Sequence, residues 1–366
     1  MEFKKSDQAS YNFPNTSRRR SRPVKVGNVT IGGDSPISIQ SMTNTKTTDV
    51  QATVDQIHQL EQAGCDIVRV AVPNATAARA LVGIKKQINI PLVADIHFDY
   101  KLALISIDAG VDKIRINPGN IGSFDKIKQV LSRAQQSNIP VRIGVNAGSI
   151  EKNLIDKYGQ PCVPALVESV MQHVQICERL DFRNLIIAVK ASDVRMMINA
   201  NLEIAALTDY PLHLGVTEAG TPAMGIIKSA IGIGTLLARG IGDTIRVSLT
   251  APPIEEVEAG INLLKALKLK HHGVTIISCP TCGRLEYDLF RIVSQIEKRV
   301  ANIKTPLTIA IMGCVVNGPG EAKEADIGIA GGKGKAVLFK KGTIIATYPE
   351  DQIVDILMKE IESLIE

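Results

Sequence analysis

Three cysteines in the last quarter of the chain have the spacing of a metal centre. Cys279-Pro-Thr-Cys282 sets two thiols three positions apart, close enough to grip one metal. Cys314 follows in Gly313-Cys314-Val-Val-Asn-Gly-Pro-Gly320-Glu321. The C-x-x-C pair alone would equally suit a redox dithiol or a zinc knuckle. The third thiol stands in a Gly/Pro-rich loop directly after an apolar run, and such loops let backbone N–H groups approach cluster sulfurs. A closed structural site would need a fourth thiolate or an imidazole, and His271 and His272 are the nearest imidazoles. On the residues alone, a zinc site of three cysteines and one histidine therefore stays open beside an iron–sulfur cluster. Cys65, Cys162 and Cys177 each stand singly among apolar neighbours, as buried inert thiols do.

A second set of reactive side chains recurs where short apolar runs give out. The runs Ile37–Met42, Asp66–Val72, Pro91–His97, Lys113–Pro118, Val141–Ala147, Asn184–Ala191, Leu212–Glu218 and Thr244–Thr250 read as eight strands. Segments between them, such as Thr53–Ala63 and Ser123–Gln136, carry apolar residues at helical spacing. Eight such β-α units predict a (β/α)8 TIM-type barrel, a fold of about 250 residues whose chemistry sits at strand C-terminal ends. A doubly wound sheet is the runner-up, but it needs neither eight units nor polar residues at nearly every strand end. Those ends supply Arg69, Asp95 with His97, Arg115 with Asn117, Arg142 with Asn146, Lys190, Glu218, and Arg246 with Ser248. Four arginines and a lysine around one mouth are electrostatically unfavourable without an anion, and guanidinium forks match phosphate oxygens. Arg69 and Arg142 lie earlier in their strands than the rest, so pairing inside the barrel is open for both.

At 366 residues the chain has room for this barrel and an appendage. Residues 1–36 form an N-terminal arm with a hairpin at Val24–Ile31, turning at Gly27-Asn28 and capping the barrel floor. The barrel takes 37–268, with its last helix at Ile254–Leu267, and 269–366 form a smaller α/β domain. That domain is expected to hold a strand into Cys279, a helix Leu285–Val300, a strand Leu307–Met312, strands near Ala336–Phe339 and Thr343–Ala346, and a closing helix from about Asp351. Gly331-Gly332-Lys333-Gly334-Lys335 lacks Walker spacing and reads as a turn between strands. A net charge of +5 is too mild to argue for nucleic acid, and Arg18, Arg19, Arg20 and Arg22 read as a solvated basic surface. No segment resembles a secretory signal, a transit peptide or a membrane span, so the cytoplasm is the expected compartment.

The motifs together resemble the 4-hydroxy-3-methylbut-2-en-1-yl diphosphate synthase family of the methylerythritol phosphate route to isoprenoids. Beside the two cysteine segments, with Gly283-Arg284, they are Gln40-Ser-Met-Thr-Asn44, Ala94-Asp-Ile-His97, Arg115-Ile-Asn-Pro-Gly119, Gly144-Val-Asn146, Gly215-Val-Thr-Glu-Ala-Gly220 and Gly240-Ile-Gly-Asp-Thr-Ile-Arg-Val-Ser248. The resemblance implies an iron–sulfur oxidoreductase with a [4Fe–4S] cluster on Cys279, Cys282, Cys314 and Glu321. Carboxylate is a harder and more labile iron ligand than thiolate, so Glu321 is expected to serve catalysis as well as ligation. The implied substrate is 2-C-methyl-D-erythritol 2,4-cyclodiphosphate, held by the basic residues of the mouth, with Glu218 as proton donor to the departing hydroxyl. The family further implies a homodimer in which one subunit's cluster domain serves the other's barrel. Flavodoxin or ferredoxin is the expected electron donor, because no flavin or nicotinamide fingerprint is present. The barrel runs into the cluster domain without the large insert of plant-type relatives, as in the short bacterial form. Two rivals remain: a binding module with a zinc-stapled tail, and a pterin-type transferase, which leaves the cysteines unexplained. A radical S-adenosylmethionine enzyme lacks its C-x-x-x-C-x-x-C run.

Protein purified without oxygen is expected to hold about four iron and four sulfide per chain, with a broad brown absorbance. Stoichiometric zinc without sulfide, read by metal analysis, would sink the cluster assignment.

Overall fold

The computed structural model describes residues 17–271, 273–314 and 322–365. Two units make up the chain, one running to Lys270 and the other beginning at His271. In the first, β1 (Val24–Val26) and β2 (Val29–Ile31) form an antiparallel hairpin. Eight strands follow: β3 (Ser38–Met42), β4 (Ile67–Ala71), β5 (Leu92–Asp95), β6 (Lys113–Ile116), β7 (Val141–Asn146), β8 (Leu185–Lys190), β9 (His213–Leu214) and β10 (Thr244–Ile245). They pair in parallel in the order β8-β7-β6-β5-β4-β3-β10-β9, and a parallel bridge between Ile187 and Leu212 closes the ring. This is the expected TIM-type barrel.

Side-chain alternation along these strands separates two environments. Val68, Val70, Ile114, Ile116, Ile143, Val145, Ile187 and Val189 face outward into the apolar layer under the helices. The alternate positions place Arg69, Arg115, Arg142 and Lys190 inside, in a lumen that barrels ordinarily fill with Val, Ile and Leu. Only the floor is apolar: Val24, Val26 and Ile31 of the hairpin pack on Ile67, Val93 and Ile186 at the strand beginnings. Short polar side chains start the helices that follow several strands. Asp49, Asn74, Asp99 and Asp193 each accept a hydrogen bond from a first-turn N–H.

The basic cluster near the N-terminus is not the solvated surface that its composition suggests. Arg19 donates to the carbonyls of Ala205, Thr208 and Tyr210, and Arg18 pairs with Asp243 at 3.0 Å. Arg22 pairs with Asp209 at 2.7 Å and lies over the Tyr210 ring. Carboxylates and helix-end carbonyls under the barrel draw these side chains in, leaving Arg20 exposed. The last two barrel strands are shorter than predicted. Beyond Leu214 and Ile245 the backbone keeps only single bonds, such as Thr217 N–H to Ala191 O and Thr250 N–H to Gly220 O.

The second unit is a five-stranded sheet in the order β11 (Val274–Ser278), β12 (Leu307–Met312), β13 (Ile327–Gly332), β14 (Lys335–Lys340) and β15 (Thr343–Pro349). Its first three strands are parallel and the rest antiparallel. Helices Leu289–Val300 and Ile353–Ile365 share one apolar core with it. The first helix starts four residues later than predicted, because Leu285, Glu286 and Tyr287 spend their polar groups on Cys282 O, Gly313 O and Met312 O. Asp288 then caps it. Strand β13 escaped the sequence reading. Its glycines suppress the β signal but are required, since a side chain at Gly331 would strike the Tyr287 ring. Among the described residues no helix is long and apolar enough to cross a membrane.

Candidate active site at the barrel mouth

The C-terminal ends of the barrel strands enclose a cavity of ≈ 250 Å³. Arg69, Asp95, His97, Arg115, Arg142, Asn146, Lys190, Arg246 and Ser248, all predicted from sequence, line it together with Gly144, Ala188 and Thr217. Five of these are cations and Asp95 is the single carboxylate. Like charges about 6 Å apart repel by roughly 3 kcal/mol at an effective dielectric near 20, so the cavity is suited to an anion.

Asp95 organises one side. Its Oδ1 accepts from Arg115 Nη1 at 3.1 Å, and its Oδ2 lies 3.3 Å from His97 Nε2 and 3.8 Å from Arg69 Nε. Burial pushes this carboxyl up, but Arg69, the His97 hydrogen bond and Arg115 outweigh it and hold it far below the usual carboxylate range. Burial lowers Arg69 to about 10, offset in part by Asp95. Arg69 therefore both pairs inside the barrel and lines the cavity. Arg142, whose Nη1 donates to Gln40 Oε1 at 3.3 Å, does likewise without a carboxylate. Two motif glycines make room for cations: a Cβ at Gly144 would stand 2.8 Å from Arg115 Nε, and one at Gly215 2.7 Å from Lys190 Nζ.

Arg246 is held from behind. Glu256, in helix Pro253–Ala266, meets its Nε and Nη2 at 3.2–3.3 Å and also accepts from the N–H of Leu249. The loop after β7 is latched by Glu151 to helix Val163–Arg179. Glu151 accepts from Ser169 Oγ at 2.8 Å and lies 2.6 Å from His173 Nε2.

Two predicted residues do not reach the cavity wall. Asn117 is buried and caps the short helix Pro118–Ile121 through Gly119 N–H. Glu218 is exposed beside the cavity-lining Thr217, and its φ of +51° is an uncommon conformation for a side chain of its size. Such outliers concentrate where the surrounding structure requires them.

In the second unit, β11 and β12 are parallel neighbours with Ser278 opposite Ile311, so Cys279 and Gly313-Cys314 leave the same sheet edge. Gly313 N–H donates to Cys279 Sγ at 3.1 Å. All six cysteines are free thiols, and hydrogen bonds from Arg284 lower the Cys282 thiol toward thiolate. No group of three Cys, His, Asp or Glu side chains among the described residues has metal-holding geometry. Glu321 lies outside those residues. The donor set fits a cluster in its chemistry: two thiols come from adjacent strand ends, with a backbone N–H already on sulfur. His271 lies before β11 and Cys279 directly after it, with the roughly 16 Å length of the strand between them. That separation argues against His271 as a zinc ligand beside these cysteines.

The GcpE TIM-barrel domain family matches residues 21–261, and the GcpE protein C-terminal domain family matches 275–363. The chain belongs to the GcpE family. It is 57% identical over 349 residues, 95% of this chain and 93% of the relative, to 4-hydroxy-3-methylbut-2-en-1-yl diphosphate synthase (flavodoxin) of Geobacillus kaustophilus. With the protein so named from Anoxybacillus flavithermus it shares 56% identity over 95% of this chain and 96% of the relative. Among solved structures, 3-dehydroquinate dehydratase from Geobacillus kaustophilus aligns with a TM-score of 0.49 at 15% identity, covering 68% of this chain and 99% of that one.

In this GcpE barrel the sequence reading missed Glu256, Lys113 and Thr217. Glu256 gave no signal, since an acidic residue in a first helical turn is ordinary. Lys113 did, because it shares a strand face with Arg115 two residues on. Glu256→Ala is expected to destabilise the GcpE barrel by about 3 kcal/mol in urea unfolding, as it strands Arg246 without its partner. An unchanged midpoint would show that the pair does not hold Arg246.

Proposed function

We propose that this chain carries out the reductive ring opening and dehydroxylation of 2-C-methyl-D-erythritol 2,4-cyclodiphosphate to 4-hydroxy-3-methylbut-2-enyl diphosphate, the product for which its curated relatives are named. The observation that carries this reading is the cavity, where five cations face one carboxylate and call for a small, doubly anionic ligand. Arg69, Arg115, Arg142, Lys190 and Arg246 bind the diphosphate oxygens, with Arg115 and Arg246 pre-aimed by Asp95 and Glu256. His97, Asn146 and Ser248 supply hydrogen bonds to the remaining oxygens. Asn117 contributes by shaping the loop after β6.

A [4Fe–4S] cluster held by Cys279, Cys282, Cys314 and Glu321 would supply the two electrons that open the ring, with the carboxylate leaving one iron position exchangeable. Glu218 donates the proton with which the departing hydroxyl leaves as water. Its exposed carboxyl beside Thr217 can recharge from solvent after each turnover. We take flavodoxin as the electron donor, as in the relatives' name, with ferredoxin as the second choice, and the cytoplasm, where thiols stay reduced, as the compartment.

A homodimer is supported by helix Pro222–Ala238. Met224, Ile227 and Ile231 are each more than half exposed along one face, and Lys228 is the helix's single charged residue.

With reduced flavodoxin and the cyclodiphosphate, Glu218→Gln is expected to bind substrate within about threefold of the parent and lose at least about a hundredfold in kcat. An active variant would remove Glu218 from the proton-donor role. Glu residues in place of both Ile227 and Ile231 are expected to convert a dimer to a monomer by light scattering. A parent protein of monomer mass would end the dimer assignment.

A further inference from the structure

Beneath the cavity the barrel lumen continues into a second polar tier, of which the proposed reaction uses Arg142 alone. Lys113 on β6, Gln40 on β3, Arg142 on β7 and His213 on β9 are each at most 1% exposed. Their hydrogen bonds are too few for the groups present. Gln40 Oε1 alone accepts from both Lys113 Nζ at 3.4 Å and Arg142 Nη1 at 3.3 Å. Gln40 Nε2, Arg142 Nε and both ring nitrogens of His213 have no partner among the described residues.

Among the described residues no carboxylate pairs with this tier, and only the more distant Asp112 favours the Lys113 ammonium. Asp95 is engaged by Arg69 and Arg115, and Glu256 by Arg246. Asp112, next to Lys113 in sequence, belongs to the opposite strand face and is taken by Lys85 and the N–H of Leu92. Arginine keeps its proton under such crowding. The protonation that can yield is on Lys113, His213 and, lining the cavity itself, Lys190. Burial first, then Arg142 and Arg69, push the Lys113 ammonium well below its usual value, and the same causes act in the same order on Lys190. Burial, Arg142, Lys190 and Lys113 lower His213 from a starting point already near neutral, which favours its uncharged ring.

We propose that Lys113 is a further member of the anion site, coupling occupancy of the cavity by a diphosphate to uptake of a proton at its Nζ. The inference rests on the diphosphate reading of the cavity. Lys113 stands two residues before Arg115 on the same strand face, about 7 Å down the lumen. Two negative charges brought into the cavity offset the positive field that Arg142 and Arg69 place at that nitrogen. The low-dielectric walls carry the effect with little screening. Gln40 suits the switch, since an amide oxygen accepts a hydrogen bond from an amine as well as from an ammonium. A carboxylate in its place would have fixed the charged form. Lys190 shares the uptake, as it faces the same ligand.

The sign of the coupling is set by the bound state. Lys113 titrates at a higher pH with the anion present than without it, so affinity is full below the free-state value and falls as pH rises through the bound-state value. The cyclodiphosphate is a suitable probe because each phosphorus carries one strongly acidic oxygen, and the ligand itself brings no proton.

The test is titration calorimetry of the full chain, prepared without oxygen and without reductant, in two buffers at pH 8 with different heats of ionisation. The expected result is uptake on the order of one proton per bound ligand, with Kd weakening by up to about tenfold per pH unit. In Lys113→Met the uptake should fall by about half or more, with Lys190→Met removing much of the rest. Heats that are independent of buffer in the parent overturn the coupling, whether or not the variants fold. Uptake unchanged in a folded Lys113→Met protein places the proton elsewhere and overturns it too. A ligand that does not bind at all overturns the substrate assignment, and the coupling with it.

Discussion

Crowding of like charge inside a closed ring of strands is the constraint on which the first unit depends. A parallel barrel must turn every second side chain inward, and here those positions bring Arg69, Arg115, Arg142 and Lys190 into one lumen. The molecule tolerates this by sharing its few carboxylates. Asp95 serves two guanidiniums and an imidazole, and Glu256 reaches in from a helix to hold Arg246. What is left over is positive charge facing the opening, which is the recognition chemistry. Structural neutrality and ligand affinity are thus competing uses of the same residues, and the barrel settles for partial neutrality.

The same economy explains how much the sequence disclosed. Cations at strand ends were legible because strand periodicity alone decides which way Arg115 or Arg246 points once a barrel is assumed. Glu256 was not, because its role depends on which helix face meets which strand, a tertiary fact with no local pattern. Asn117 stands where a ligand-binding residue is expected, and Asn before Pro118-Gly119 also carries the signature of a helix cap, which is the bond the structure shows. In the second unit, β13 hid behind its glycines, and the helix predicted from Leu285 was shortened by bonds to partners distant in sequence. The cysteine spacing was plain from the start. What the fold adds is that β11 and β12 are neighbours, which brings Cys279 and Gly313-Cys314 to one sheet edge.

The strands and the segments above them are fixed by different means. The helix-facing apolar layer and the capped helices fix the strands to within their ladders. Above the strands, Glu151 ties the loop beyond β7 to a helix behind it, and Glu218 is held in an uncommon backbone conformation. A mouth built this way keeps its charges in register.

The hairpin of Val24–Val26 and Val29–Ile31 closes the opposite end of the lumen against Ile67, Val93 and Ile186. The barrel is therefore a blind well with one door. Water displaced by an arriving ligand has to leave past that ligand, and a product has to vacate the entrance before the next substrate can descend. Traffic through such a well is single-file, so the product competes with the substrate for the same threshold, and turnover proceeds in strict alternation of filling and emptying.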